Sequence, residues 1–284
     1  MPLVKVNELL RHATENGYGV AAVNVFNYET IKWVAEAANR ERIPVIIQFY
    51  PGFDKYIALK HVAAIAKDFA EKSSVPIGVH LDHSAGYEIA VSGVRDGFPS
   101  VMVDGSALPY EENMALTAAV VKTAAVFGVD VEAELGHVGS GANLDDIVNS
   151  DHYTDVKQAV EFVKCTGCGS LAVAVGNAHG AYVQTPNLDF DRIASLRSAL
   201  PIPLVLHGCS DIPPEQLQES VRLGMSKFNI ATEYFRACYR GVVQHGDPAE
   251  KNGDMFRLMM ETSENAIDFV RGKMRLLNPN KFTF

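Results

Sequence analysis

Eight short apolar runs recur along the chain, and each is separated from the next by a segment long enough for a helix. Most of these runs are continuously apolar, as parallel strands covered on both faces require. The segments between them carry apolar residues at helical spacing, as in TIKWVAEAANRE. Eight β/α units in 284 residues predict an α/β fold, a single (β/α)8 TIM barrel. The predicted strands are VAAVNV (20–25), VIIQF (45–49), IGVHL (77–81), SVMVD (100–104), DVEAEL (130–135), SLAVAV (170–175), PLVLH (203–207) and KFNIA (227–231).

No linker rich in Pro, Gly or Ser divides the chain, so we expect residues 1–284 to form one barrel domain. Two connections are longer than a tight turn. One covers residues 136–154 and is rich in Gly, Asn and Asp; the other covers residues 244–254 and precedes the last helix. Long loops after barrel strands often cover a binding site, so both are predicted to act as lids.

Charge and hydropathy limit the partners that such a chain can have. The net charge of -9 argues against nucleic acid, which prefers a basic face. No apolar run is long enough for a transmembrane helix, and the first residues lack the apolar stretch of a signal peptide. We therefore expect a cytoplasmic protein with no membrane partner. Cys165 and Cys168 have CxxC spacing, but no second pair completes a metal site, so we interpret the spacing as coincidental.

Three histidines stand at or just past the ends of three predicted strands: His83, His179 and His207. Parallel strands of one barrel end at a common rim, so the three imidazoles are expected to converge there. Three imidazoles with an open fourth position describe a catalytic zinc site. Asp82 directly precedes the first histidine and could transfer protons beside the metal. The alternative is that these histidines are buried residues with ordinary hydrogen-bond partners.

Small residues follow the sixth, seventh and eighth predicted strands, in GNAHG, HGCSD and NIATE. Glycine allows the backbone to approach a ligand closely, and helix N-termini bind phosphate through free N–H groups. The turns after strands 7 and 8 of a TIM barrel often hold a phosphate. These turns therefore predict a phosphate site, the alternative being ordinary barrel loops that contain glycine.

Taken together, these motifs resemble those of the metal-dependent (class II) ketose-bisphosphate aldolases of the fructose- and tagatose-bisphosphate types. The resemblance covers nearly the whole chain, and the order and spacing of the motifs agree. The matching stretches are HLDH (80–83), MVDGS (102–106), VEAELG (131–136), SLAVAVGNAHGAY (170–182), PLVLHGCSD (203–211) and KFNIATE (227–233).

The resemblance implies roles for particular residues. His83, His179 and His207 would be zinc ligands, and Asp82 would be the catalytic acid/base. Asp104 and Glu134 resemble acids near the metal, where a displaced zinc could also rest. A monovalent cation, Na⁺ or K⁺, would sit beside the phosphate, and the protein would be a homodimer or homotetramer. The residues implied in binding substrate and its phosphate are Asn24, Gln48, Gly180, Gly208, Cys209, Ser210, Asn229, Ile230, Ala231 and Thr232.

The sequence departs from the fructose-type pattern in several places. It reads HLDHS rather than HLDHG, and HGCSD, which is closer to the tagatose-type turn. The lid stretch GSGANLDD has Asp145 and Asp146 where the family usually carries a glutamate for proton transfer. Tyr50 and Pro51 follow the second strand, where fructose-type members have a serine that contacts the second phosphate. A basic residue of the last helix, such as Arg271, could bind the far end of the substrate instead.

We therefore expect a zinc-dependent aldolase that reversibly cleaves a phosphorylated ketose to dihydroxyacetone phosphate and an aldehyde. The ketose would be a tagatose or fructose 1,6-bisphosphate or a ketose 1-phosphate. Two alternatives are a zinc-dependent hydrolase and a non-catalytic barrel that binds sugar phosphates. Against the first, the first strand lacks the HxH pair that such hydrolases usually carry. Against the second, Asp82 occurs together with all three histidines.

Overall fold

Each apolar run forms a strand of one closed barrel in the computed structural model, which describes residues 3–250 and 253–284. Consecutive strands pair in parallel, and the last strand pairs with the first, with Ile230 beside Val23. The predicted (β/α)8 barrel is therefore confirmed. The strands are β1 (Val20–Asn24), β2 (Val45–Phe49), β3 (Ile77–Ser84), β4 (Ser100–Val103), β5 (Asp130–Leu135), β6 (Ser170–Val173), β7 (Leu204–Leu206) and β8 (Met225–Ile230).

The segments outside the strands form helices whose apolar faces pack around the barrel. The first helix closes the amino-terminal end, where Leu10 packs with Val20 and Ile46. Within residues 3–250 and 253–284, no helix is long and apolar enough to cross a membrane. The helices are α1 (Val6–Asn16), α2 (Tyr28–Glu41), α3 (Leu59–Lys72), α4 (Tyr87–Asp96), α5 (Tyr110–Val126), α6 (Leu144–Val148), α7 (Val156–Thr166), α8 (Phe190–Ala199), α9 (Pro214–Arg222), α10 (Thr232–Glu250) and α11 (Met255–Leu276).

Strand β3 continues past its predicted end at Leu81 and carries a β-bulge. Leu81 and Ser84 are three residues apart, but their partners on β4 are only two apart, so β3 has one extra residue. His83 lies in this bulge with a φ of +40°. Such a conformation costs a non-glycine residue on the order of 1–3 kcal/mol and occurs mainly at functional sites. The bulge allows Asp82 and His83, although consecutive, to face the same end of the barrel.

Of the two predicted lids, the segment 136–154 does follow β5, but it is not a simple loop. It contains α6 and a 3-10 turn at Ser150–His152. Asn143 and Asn149 cap these two short elements through their side chains. The turn-forming residues that predicted a loop therefore serve as caps.

The second predicted lid, residues 244–254, is wrong for most of its length because α10 continues to Glu250. Gly246 and Pro248 favour a loop in the sequence, but α10 and α11 pack together as a pair. The Gln244 side chain accepts a hydrogen bond from Asn265 of α11, and His245 also contacts α11. This packing outweighs the local preference for a turn. Residues 251–252 of the predicted lid lie outside the described part of the chain.

Candidate active site

A cavity of about 530 Å³ opens at the carboxyl ends of the strands. This is the end of a TIM barrel at which active sites occur. Among the predicted site residues, those that line the cavity are Asn24, Asp82, His83, Asp104, His179, Gly180, Gly208, Ser210, Asn229, Ala231 and Thr232. Five more are buried away from the lining surface: Gln48, Glu134, His207, Cys209 and Ile230.

The three histidines that the sequence singled out do meet. The ring centroid of His83 lies 4.8 Å from that of His179 and 4.6 Å from that of His207. The centroids of His179 and His207 are 5.6 Å apart. One nitrogen from each ring lies within 4.8 Å of the other two. Three imidazoles at this spacing form a donor set with one side open to the cavity, which is typical of a catalytic metal site.

The second nitrogen of each histidine has its own partner, which fixes the orientation of the ring. Metal-binding histidines almost always donate this second N–H to a carboxylate or a main-chain carbonyl. The partners are Asp104 at 2.9 Å for His83 Nδ1, the main-chain oxygen of Val138 at 3.1 Å for His179 Nδ1 and Glu132 at 3.0 Å for His207 Nε2. The three nitrogens left are therefore Nε2 of His83, Nε2 of His179 and Nδ1 of His207.

Several of the free donor atoms are buried without a hydrogen bond. They are His179 Nε2, His207 Nδ1 and Glu134 Oε2. The last two are 3.2 Å apart, close enough for an ion pair but not aligned as a hydrogen bond. Leaving buried polar atoms unpaired costs about 1–3 kcal/mol each. A divalent cation would supply the missing partner, so this donor set fits a metal ion. A second group, His83 with Asp104 and Glu134, could hold a displaced ion.

Burial and neighbouring charges set the protonation of these ligands. Burial lowers the pKa of His179 to about 4, so this imidazole is neutral and ready to bind a metal. Burial also opposes protonation of His207, but its contacts with Glu132 and Glu134 outweigh burial and raise the pKa to about 10. Metal ions bind neutral imidazole, so a metal at this site would displace the proton of His207.

Asp82 lies beside the histidine cluster and is almost fully buried. Its carboxylate accepts hydrogen bonds from three side-chain amides: Asn24 at 2.9 Å, Asn229 at 3.1 Å and Gln48 at 3.3 Å. Burial raises the pKa of Asp82, but the positive charges of neighbouring groups, His83 first, outweigh burial and hold the pKa below its usual value. Asp82 is therefore an ionised, fixed carboxylate that can accept a proton from a ligand in the cavity.

Beneath the histidines lies a buried charge network that the sequence analysis missed. Lys227 is fully buried, and its Nζ is 3.0 Å from Glu132, which also holds His207. His80 adjoins the same glutamate, and burial together with the charge of Lys227 lowers its pKa to about 3. The signal in the sequence was a lysine within an apolar strand. Such a lysine needs a buried acid as its partner.

The predicted phosphate turns are only partly available to a ligand. Gly180, Gly208 and Ser210 face the cavity, and α10 begins beside them at Thr232. Cys209 is different: its N–H donates to the main-chain oxygen of Asn229 at 3.1 Å, and its side chain is buried. Neither the N–H nor the side chain of Cys209, a predicted ligand contact, is therefore free to face a ligand in this structure. Ile230, the last residue of β8, is buried and does not line the cavity.

The basic residues of the last helix lie elsewhere. Arg271 does not line the cavity, and its guanidinium pairs with Glu41 of α2 and Asp268 of α11. Arg275 also pairs with Glu41, and Lys273 pairs with Glu233. The prediction that Arg271 binds the far end of a ligand is therefore not met within one chain, because carboxylates on the helices hold these cations. Tyr50 and Phe53, which follow β2, do line the cavity.

The lid segment contributes two residues that were not among the predicted site residues, His137 and Val138. His137 lines the cavity, whereas Asp145 and Asp146 do not. Asp146 lies behind His137, with its Oδ1 3.6 Å from His137 Nε2. Asp145 is exposed and lies 3.8 Å from His152. The two predicted aspartates thus support the histidines of the lid and do not themselves face the cavity.

Comparisons with known proteins agree with this geometry. A family model described as class-II fructose-bisphosphate aldolase matches residues 4–281. The chain is 35% identical to the YdjI aldolase from Escherichia coli K12, with 97% of each chain covered and a TM-score of 0.87. Fructose-bisphosphate aldolase (Fba) from Campylobacter jejuni is 23% identical, over 97% of this chain and 95% of that chain, with a TM-score of 0.83. The latter likeness supports the fold alone.

The family model spans nearly all of the chain, and the residues it covers form a barrel with a metal-type histidine cluster beside a fixed carboxylate. The chain belongs to the class-II fructose-bisphosphate aldolase family and is an aldolase, a carbon–carbon lyase.

Proposed function

We propose that the protein is a zinc-dependent aldolase that reversibly cleaves a phosphorylated ketose to dihydroxyacetone phosphate and an aldehyde. The observation that carries the proposal is the pairing of an ionised, amide-held Asp82 with three oriented imidazoles on one cavity. His83, His179 and His207 would hold the zinc. When bound, zinc would act as a Lewis acid that stabilises the negative charge developing on the ketone oxygen during cleavage.

Other residues of the chain would transfer the hydroxyl proton and bind the phosphate. As the carbon–carbon bond breaks, the hydroxyl of the departing aldehyde half loses its proton, and the Asp82 carboxylate accepts it. Asn24, Gln48 and Asn229 keep that carboxylate in position. The phosphate of the dihydroxyacetone phosphate half would bind to N–H groups of Gly180, Gly208, Ser210 and the start of α10. A monovalent cation, Na⁺ or K⁺, beside this phosphate is part of the proposal.

The first experiment is a panel of phosphorylated ketoses assayed with metal-loaded and chelator-treated protein, alongside measurement of zinc per chain. The aldolase proposal expects cleavage that is lost with the chelator and restored by zinc. Hydrolysis of phosphate without carbon–carbon cleavage would favour the zinc hydrolase. Binding without any turnover by the zinc-loaded protein would favour the non-catalytic barrel.

The aldehyde side of the cavity supports a ketose 1-phosphate, and the HGCSD turn supports a tagatose-type substrate. No lysine or arginine within residues 3–250 and 253–284 lines the cavity, and Tyr50 and Phe53 form the wall there. A second phosphate therefore lacks a cationic partner among the described residues that line this cavity. We expect kcat/KM for the best ketose 1-phosphate or for tagatose 1,6-bisphosphate to exceed that for fructose 1,6-bisphosphate by about tenfold, roughly 1.4 kcal/mol. The family description favours fructose 1,6-bisphosphate, and a clear preference for it in steady-state kinetics would contradict this prediction.

Two glycines allow a matched test of the phosphate site. Both glycines have a positive φ, which strains any substituted residue, but a Cβ at Gly180 would meet no atom within 4 Å, whereas a Cβ at Gly208 would lie 1.9 Å from the main-chain oxygen of Ala178. We expect Gly180→Ala to weaken binding of a dihydroxyacetone phosphate analogue by about tenfold, with the metal retained. Gly208→Ala should instead destabilise the fold by about 1–3 kcal/mol, the usual range for overpacking. Calorimetric titration and thermal melting measure the two effects; unchanged analogue binding by Gly180→Ala would argue against this phosphate position.

We also propose a homodimer or homotetramer. Support comes from large apolar side chains that are exposed on α10 and α11, among them Tyr239, Val243, Phe256 and Met260. Contiguous exposed apolar surface of this kind often marks an interface. The four free cysteines support a reducing compartment, and we propose the cytoplasm.

A further inference from the structure

Cleavage of a ketose requires two proton transfers on different atoms, and this argument rests on the aldolase function proposed above. One proton leaves the hydroxyl of the aldehyde half. Another must arrive at the carbon of the dihydroxyacetone phosphate half that held the broken bond. Asp82 is fixed by three amides and therefore serves one of these two atoms. A second proton-transfer group is needed at the carbon.

Few titratable side chains line the cavity, and most already have another task. His83 and His179 belong to the metal-type cluster. Asp104 uses one carboxylate oxygen for His83 and the other for Ser106. Of the other acids, bases and phenols that line the cavity in the described structure, Tyr50 stands on the aldehyde side and His137 on the lid side. Imidazole is the side chain that most often performs general acid–base catalysis.

Contacts within the lid hold His137 in place. Its main-chain N–H donates to the main-chain oxygen of His152 at 2.9 Å. Its Nε2 faces Asp146 Oδ1 at 3.6 Å, and Asp146 Oδ2 accepts the N–H of Ser140 at 2.7 Å. Nδ1 is then the nitrogen left for a ligand. An acid behind one imidazole nitrogen orients the ring.

The lid is also joined to the metal-type cluster. The N–H of His179 donates to the main-chain oxygen of Gly139 at 2.8 Å, and the N–H of Gly141 donates to that of His179 at 2.7 Å. Next to His137, the main-chain oxygen of Val138 lies 3.1 Å from His179 Nδ1. The position of His137 is thus set relative to the residues that would hold the substrate's ketone.

We propose that His137, positioned by Asp146, transfers the proton at the carbon of the dihydroxyacetone phosphate half. In cleavage, the His137 imidazolium gives its proton to the enediolate carbon, whose electron pair forms the new C–H bond, and the imidazole becomes neutral. In synthesis, the neutral imidazole removes the same proton. Asp82 gains a proton in the cleavage direction and loses it to water, and water returns a proton to His137, so the cycle balances.

A partial reaction isolates this step. Zinc-loaded enzyme with dihydroxyacetone phosphate in D₂O, without an aldehyde, exchanges a hydroxymethyl proton for deuterium, and proton NMR follows the exchange. His137→Asn should slow exchange by about 10²–10⁴-fold, the usual contribution of general acid–base catalysis, with zinc content and affinity for dihydroxyacetone phosphate unchanged. Asp82→Asn should have the opposite profile, losing cleavage while retaining exchange. Added imidazole should restore part of the exchange to His137→Ala.

His61→Asn is the matched control, since His61 is exposed on α3 and does not line the cavity, and its exchange should stay close to wild type. Asp146→Asn should lower kcat for exchange and leave KM unchanged, as expected for a positioning residue. Normal exchange by His137→Asn overturns the assignment and leaves the proposed function intact. Loss of exchange together with loss of zinc also overturns it, in favour of a structural role. A zinc-loaded wild-type protein that neither exchanges nor cleaves overturns the proposed function itself.

Discussion

His179→Ala is expected to lose both bound zinc and aldolase activity while the barrel stays folded. His179 is half-buried at the rim, outside the apolar core, so its truncation leaves the packing of strands and helices unchanged. Its Nε2 is one of three converging donors, and two imidazoles do not make the three-ligand set of a catalytic zinc. The loss of activity should exceed the roughly 10–100-fold that follows removal of a residue that only orients a ligand.

Zinc per chain, measured by mass spectrometry, and circular dichroism melting test this prediction together. His61→Ala provides a matched control, because His61 is exposed on α3, away from the cavity. It should keep zinc, activity and melting temperature. Full activity in a rigorously metal-free wild-type sample would contradict the metal's role, and wild-type zinc content in His179→Ala would remove His179 from the ligand set.

Asp82→Asn is expected to keep zinc but to lose about 10²–10⁴-fold in kcat for cleavage. Asparagine has nearly the same shape as aspartate, but it cannot accept the hydroxyl proton. Its amide would also face the donors of Asn24, Gln48 and Asn229, which now all point at a carboxylate. We therefore expect a small loss of stability as well, of about 1–3 kcal/mol for unpaired buried donors.

Steady-state cleavage, zinc content and thermal melting of Asp82→Asn distinguish catalysis from architecture. A turnover near that of the wild type would exclude Asp82 as the hydroxyl base. A variant that loses zinc along with turnover would show that Asp82 acts mainly through its neighbour His83.

The barrel could be predicted from the sequence because each strand is a continuous apolar run. Such a run can be recognised as a buried strand from its own residues, without knowledge of distant parts of the chain. The structure differs from the prediction where the local conformation depends on a residue or element that is distant in the sequence. The bulge at His83 depends on the register between β3 and β4, which the sequence of β3 alone does not contain. The continuation of α10 beyond Gln244 depends on α11, whose polar side chains pair with those of Gln244 and His245 on α10.

The candidate site shows the same division. Strand ends located the histidine cluster and Asp82, since parallel strands share one rim. The sequence does not show which way the side chain of a single turn residue points. Cys209 is buried although its neighbours Gly208 and Ser210 face the cavity. Arg271 does not line the cavity of its own chain because it pairs with Glu41, which is 230 residues away in the sequence. His137 lines the cavity because the lid folds so that Asp146 lies beside its ring.

The aromatic wall beside the cavity belongs to one short element, the 3-10 turn Pro51–Phe53 with Tyr50 before it. The histidine cluster, Asp82 and the phosphate turns come from other strand ends. If this turn selects the aldehyde, as proposed, it could diverge without altering the histidine cluster or Asp82. Replacing this turn, in evolution or by design, could then give a new carbon–carbon bond-forming catalyst that keeps the same histidine cluster and Asp82.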